Sequence, residues 1–458
     1  MKTENGKRSF VSMSSERQTK YGRSSYRLVR EQRMVAKGKK AKMQKCKDFF
    51  FLLFLCFFSV LHSFAQQHAI LSERIKTLRV SAGPDPAALP VIHLGTEQQV
   101  DISFDDLTHE YQRYTYSIQH CEADWTPSDA LFTSDYIDGF SSDHVIEDCE
   151  LSSATAVAYT HYRLQIPNDE CRITMSGNYL LTITDDSSQT PVATVAFMVC
   201  EPKFSAAMTI TGNTDIDING SHQQADLSIR YNGVSVTQPE RQVKTVVMQN
   251  SRWSTARWLD NPQISTSAGQ DYVHCRQLIF PATNEYRKFE YLDIHRSSMG
   301  VEETYYDGEH YHAALYADMP RPNYVYDRDA NGAFVIRNTY DRENDTQSEY
   351  FLCHFTYRTP EPFPGDVYLN GQWTYDSTDS QYRMTYDSSS QAYRCTVMLK
   401  MGYYSYQYLL AAPDGSLSYL PAEGNYYETE NMYTCLVYYR PIGGRTDLLY
   451  AAYNTYSR

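Results

Sequence analysis

Beyond residue 66 this chain of 458 residues has no long stretch of helical periodicity, which leaves little room for a helical fold. It has no G-x-S-x-G elbow, no H-E-x-x-H, no P-loop and no paired Cys/His signature, so no motif marks an active site. Basic clusters are also missing from the body of the chain. The formal net charge is −13. Residues 1–65 carry 15 Lys and Arg against 4 Asp and Glu, which leaves 27 against 51 in the remainder, a net of −24. A body this acidic argues against nucleic-acid binding, which needs basic side chains on phosphates. The eight cysteines after residue 66 (Cys121, Cys149, Cys171, Cys200, Cys275, Cys353, Cys395 and Cys435) include no C-x-x-C pair. Their wide spacing speaks against a zinc site. Disulfides and buried core thiols both stay open, and the connectivity is not legible.

What is present begins with a targeting signal. Lys45 and Lys47 follow Met43, Phe49 to Leu61 is an apolar run of 13 residues, and Ser63-Phe64-Ala65 is a small-x-small cleavage site. Spanning a bilayer takes about 20 apolar residues, so the run reads as a cleaved Sec signal and not as a membrane span. Residues 1–42 are basic and Ser-rich, too polar to build a core. They read as a disordered basic extension or a mis-annotated start, with translation beginning at Met43.

The body reads as short alternating runs punctuated by Gly, Pro, Asn and Asp, and it contains most of the chain's 40 tyrosines. Tyr suits strands that are half buried and half wet. The expected fold is all-β, built of tandem immunoglobulin-like or early-set β-sandwich modules. The expected division is a signal peptide at 43–65, a first immunoglobulin- or fibronectin-like sandwich at 66–201, a central β-rich domain at 202–358 and a C-terminal sandwich at 359–458. In the first, Tyr114, Tyr116, Ile118 and His120 fall on one strand face, and Trp125 reads as corner packing rather than a ligand platform. In the central one, Val243 to Gln249 is a β-branched strand with Val247 as a core candidate. Gln277–Phe280 and Phe289–Ile294 read as two strands joined by Pro281-Ala282-Thr283-Asn284. The Pro-rich joint Thr359 to Gly365 opens the third, whose "V-x-L-N-G-x-W" and "G-x-Y-x-Y-x-Y" runs resemble glycogen-binding early-set sandwiches; Asp414-Gly415 marks a turn.

Few residues suggest site chemistry. Asp215-x-Asp217-x-Asn219-Gly220 and Asp327-x-Asp329-x-Asn331-Gly332 open like calcium loops. The twelfth positions are Asp226 and Asn338 where a bidentate Glu is needed, so both read as acidic turns. His310-x-His312 reads as a solvated face before a metal site. Trp373 and Tyr375 are candidates for stacking a sugar, with packing the default reading. No catalytic residue, cofactor or metal ligand is singled out, and the chain is not expected to be an enzyme.

Several segments carry a resemblance: Gln242 to His295, SFDDL (Ser103 to Leu107), Tyr111 to Asp129, Asn213 to Gln224, NEYRKFE (Asn284 to Glu290), DRENDT (Asp341 to Thr346) and NGQWTY (Asn370 to Tyr375). Through them the chain resembles the type IX secretion system plug protein family of Bacteroidota, from about Ile75 to Tyr439. The resemblance implies a periplasmic protein, exported by the Sec signal. It implies a partner too, the giant outer-membrane translocon barrel, whose periplasmic mouth the protein would seal when idle. The alternative is an exported glycan-binding protein of a polysaccharide-utilisation system.

Overall fold

The strand Met432–Tyr439 (MYTCLVYY) is buried at all eight positions, because both of its faces are covered. The computed structural model describes residues 68–339, 343–412 and 416–457. In it, Tyr433, Cys435, Val437 and Tyr439 enter one core with Leu227, Ile229 and Tyr272. Leu436 and Tyr438, on the other face, meet Cys121, Met198 and Cys200. The neighbouring strand Val243–Gln249 divides in the same way: Val247 enters the first core, Val246 and Met248 the second.

The described chain is all-β and forms three sandwich-like units. In the first, one sheet runs in the order Ala69–Ile70, Thr190–Cys200, Gly177–Asp185, Tyr114–Cys121, His144–Val145, with Val91–His93 parallel to Thr190–Cys200. The facing sheet is Ile75–Ser81, Val100–Asp106, Thr160–Ile166, Cys149–Leu151. Alternation selects the inward residues. Tyr114, Tyr116 and Ile118 meet Phe104, Tyr162 and Phe197 between the sheets.

The second unit is discontinuous. One sheet contains Ser205–Thr211, His222–Arg230, Gly269–Tyr272 and Ile264–Thr266, with Ile279–Pro281 added to His222–Arg230. The other contains Arg257–Leu259, Val243–Gln249, Met432–Tyr439 and Leu448–Tyr456. The third unit lies between these two pieces in the chain. Its ten-stranded sheet begins at Arg287–Tyr291, ends at Val301–Tyr306 and wraps a single core that includes Phe289, Phe355, Trp373 and Tyr404.

This nesting corrects the expected tandem division at 358/359. Residues 432–456 complete the central sandwich, and much of 286–358 belongs with the C-terminal segment. The two strands expected on either side of the Pro281 turn are present, with shifted bounds, as Ile279–Pro281 and Arg287–Tyr291, and they belong to different sheets. Ile279–Pro281 pairs with His222–Gln224, whereas Arg287–Tyr291 pairs with Gly402–Tyr406. The intervening turn is therefore a crossover between units and not a hairpin. The basic extension, the signal segment, the Asp414-Gly415 turn and the Asp341-Arg342 part of DRENDT lie outside the described residues.

Candidate functional site at the seams between the units

Strand ends and loops bring polar side chains together where the three units meet. Between the first and third, the Asp105 carboxylate accepts hydrogen bonds from Lys400 Nζ at 2.6 Å, Tyr350 Oη at 2.7 Å and His161 Nδ1 at 2.6 Å. All four side chains are essentially out of water. Burial alone would push the Asp105 carboxyl up. The Lys400 ammonium and His161 outweigh it and hold the carboxyl below its ordinary range. Lys400 Nζ also donates to the Asp345 carbonyl at 2.6 Å and lies 4.1 Å from the Tyr159 ring centroid. Arg79 reaches the Asp345 carboxylate at 2.5 Å.

The seam between the first and second units is partly apolar. Trp125 meets Trp253 edge to face at 5.6 Å, within the core formed around Val246, Met248 and Leu436. Its polar rim is Glu122–Arg440 at 2.6 Å, Arg440–Asp447 at 2.8 Å and Lys244–Asp447 at 2.8 Å.

The second and third units are tied at their two crossovers. Arg287, just after the first, pairs with Asp318 at 2.5 Å and Glu423 at 3.0 Å. Tyr406 and Tyr408 donate to the same Asp318 carboxylate. Asn431, on the second crossover, donates to Gln223 and to the Ala282 carbonyl. Arg252 meets Asp376 at 2.9 Å with both side chains 9 % exposed. A cavity of about 110 Å³ lies at the three-way junction, lined by residues including Leu78, Trp125, Trp253, Asn331 and Tyr375. Trp125 Nε1 and Asn331 Oδ1 find no hydrogen-bond partner among the described residues.

The candidates from the sequence take their places around this framework. In the first acidic turn, Asp217 accepts from Thr214, Ser221 and His222, and Asp215 accepts from Gln224 and meets His274. Asn219 carries the positive φ of the turn. Asp226, at the twelfth position, accepts the His274 backbone N–H instead of closing the loop. Ile216 and Ile218, which alternate as strand residues would, lie exposed on the turn.

In the second turn Asp327 pairs with Lys288 at 2.6 Å, and Asp329 accepts the backbone N–H groups of Tyr286 and Asn331. Burial raises the Asp329 carboxyl to about 7. Asn331 and Gly332 take positive φ, and Asn338 is held instead by Asn344 and Ser348. Among the described residues no group of three or more His, Cys, Asp or Glu is arranged to hold a metal ion.

His310 and His312 do not converge. His312 Nδ1 meets His354 Nε2 at 2.8 Å, and its Nε2 meets Asp307 at 3.0 Å. His354 has no sequence signal, since parallel pairing of Tyr311–Leu315 with Tyr350–Arg358 delivers it. Trp373 is a core residue whose indole N–H donates to the Ser405 carbonyl at 3.1 Å. Gly371 makes room for it: a Cβ there would lie 2.5 Å from Trp373 Nε1 and 2.7 Å from that carbonyl. Tyr375 points away from solvent and donates to the Leu78 carbonyl at 2.6 Å. The eight cysteines described are free, seven buried and Cys149 half-buried.

The segments that carry the family resemblance share one property, with one exception. SFDDL supplies Asp105, DRENDT Asp345, Tyr111–Asp129 supplies Glu122 and Trp125, Asn213–Gln224 supplies Gln223, NEYRKFE Arg287, and NGQWTY Tyr375. Each except NEYRKFE, whose Arg287 pairs with Asp318 inside the third unit beside the crossover, places at least one side chain across a seam. Sequence reading missed the partners Lys400, Glu423, Arg440 and Asp447, which sit in ordinary strand and turn contexts with no local signal.

The family model described as "Type 9 secretion system plug protein 1st domain" matches residues 75–201, the span of the first sandwich. A hypothetical protein from Parabacteroides merdae, known from a crystal structure, is 37% identical; the match covers 85% of this chain and 98% of that one, with a TM-score of 0.82. The C-terminal domain of the Streptococcus pyogenes antigen I/II-family protein AspA shares 7% identity over 84% of this chain and 99% of that one. Its TM-score is 0.16. No curated protein matches the chain.

Proposed function

Because this chain belongs to the type 9 secretion system plug protein family, we propose that it acts as a periplasmic plug, binding the inner mouth of the outer-membrane translocon barrel and closing it when no substrate is in transit. The observation that carries the reading is the family match over the whole first sandwich; a 37% identical hypothetical protein shares the fold along nearly the full described body. The physical form agrees with it. A pore is blocked by a body that keeps its shape, and here three units are pinned by buried ion pairs and a shared apolar seam. The role asks for occupancy and contact, so no residue is assigned a catalytic step. Delivery follows from the Sec signal at 43–65, with cleavage after Ala65.

Two measurements test the proposal. Tagged protein should co-purify with a very large barrel from detergent-solubilised outer membranes. Deletion of the gene should make the outer membrane leaky to large antibiotics or dyes while secretion is only partly impaired. An intact permeability barrier in the deletion strain, with lost growth on one polysaccharide, would overturn the plug reading in favour of glycan binding. That alternative has less to stand on, since Trp373 and Tyr375 are both turned inward.

A further inference from the structure

The strand Val301–Tyr306 (VEETYY) ends the ten-stranded sheet and, among the described residues, is paired on one side only, to Tyr311–Leu315. Its far side meets the start of the sheet only at the base, where the Glu290 N–H donates to the Met299 carbonyl and Gly300 packs on Phe289. Past the register shift between Val301 and Glu303, every second residue of Glu303 to Tyr306 turns its backbone N–H and C=O away from its neighbour, the arrangement that accepts an added strand. The shift and the two glutamates blunt the start of this edge, whereas Thr304 to Tyr306 carry no charge, Pro or bulge.

The side chains point the same way. Tyr305 stacks on His312 at 4.4 Å and 7°. That separation is close to the spacing of neighbouring strands, about 4.8 Å. His312 in turn lies side by side with His354, joined ring to ring by the 2.8 Å hydrogen bond, and the Tyr305 ring is parallel to both. Tyr305 is 44% exposed at the sheet edge. On the opposite face Tyr306 pairs with Tyr311 and is 51% exposed. Glu302 and Glu303 are exposed on the same strand.

We propose that this edge takes up an extended strand of the translocon's periplasmic rim, bearing an aromatic or imidazole ring in register with Tyr305 and a basic residue against Glu303. The ring covers the outer face of Tyr305 and extends its stack on His312, the added backbone satisfies the open N–H and C=O groups, and the basic residue neutralises the carboxylates. A second copy of this chain is a poor occupant. It would bring the same carboxylates to the new seam, where like charges repel. The proposal rests on the plug reading for the identity of the partner and on the sheet edge for the mode of contact.

Amide hydrogen exchange on the full exported chain, alone and bound to the detergent-solubilised translocon, separates the two. The expected result is at least tenfold slower exchange at Glu303 to Tyr306 in the complex, with Ile264–Thr266, an edge of another sheet, unchanged. The double variant Glu303→Lys/Tyr305→Ala should lower retention on the translocon at least tenfold at an unaltered melting temperature. A complex that forms without protecting this strand overturns the edge proposal and leaves the plug reading standing. No complex at all removes both. Protection in the protein alone, together with a dimer mass in sedimentation, also overturns the proposal by making a second copy the occupant. If the variant melts early, the wild-type exchange pattern decides alone.

Discussion

Lys400 and Asp105 are 295 positions apart in the chain, yet their side chains meet at 2.6 Å, each 1% exposed. Desolvation of two charges is offset here by three further donors and acceptors: His161, Tyr350 and the Asp345 carbonyl. Removing one partner strands the other. Lys400→Met should therefore destabilise the protein by about 3–5 kcal/mol, and Lys400→Met/Asp105→Leu should recover a large part of that loss. Chemical denaturation of the two singles and the double gives the coupling. Additive losses would show that the pair does not act as a unit.

Acid should open this seam. Asp105 has a folded-state pKa below that of the unfolded chain, so its contribution is present above the ordinary carboxylate value of about 3.9. It is lost as pH falls through the lower, folded value. Lys400→Met/Asp105→Leu should lose less melting temperature than the wild type between pH 4 and pH 2.

Asp329 works in the opposite sense. Its carboxyl is raised to about 7, so the folded state binds the proton more tightly than the unfolded chain. The stabilisation is complete below about 3.9 and is lost as pH rises through about 7. Asp329→Asn keeps an oxygen for the Tyr286 and Asn331 N–H groups and cannot ionise. Its melting temperature relative to wild type should climb steadily from pH 4 to pH 8. A flat difference would place Asp329 in water.

Residues 359–458 should not fold as a separate fragment. They lack the Arg287–Tyr291 and Tyr350–Arg358 strands of their own sheet, and Met432–Tyr439 would lose Val243–Gln249. Circular dichroism and amide exchange of the fragment check this. Cutting the chain at 431 should unfold the central unit as well, because two of the four strands in its buried sheet are removed.

Two core substitutions bracket the packing argument. Val247→Asp places an unpaired charge in the central core and should cost several kcal/mol or more, enough to unfold a unit of ordinary stability. Trp373→Ala should cost about 3–5 kcal/mol, since the indole fills the third core and donates to Ser405. Loss of glycan affinity from Trp373→Ala without loss of stability would contradict the burial.

Read alone, the sequence determined the class of fold and much of its local detail. Tyr114 to Cys121 alternates because one face meets a core, and that period is written in adjacent residues. Val243–Gln249 is legible for the same reason, and Trp125 as a packed corner, since a large aromatic ring finds most of its energy in burial. The order of the units was decided by tertiary structure. Hairpin partners are neighbours in sequence, whereas Val243–Gln249 chooses Met432–Tyr439 across an entire intervening unit. Nothing local records that choice except the unbroken apolar run MYTCLVYY, the trace of a strand covered on both faces. The seams were equally out of reach. Asp105, Lys400, Arg287 and Glu423 read as ordinary surface charges until the fold buries them, because ion pairing depends on distance in space and leaves no period in the chain.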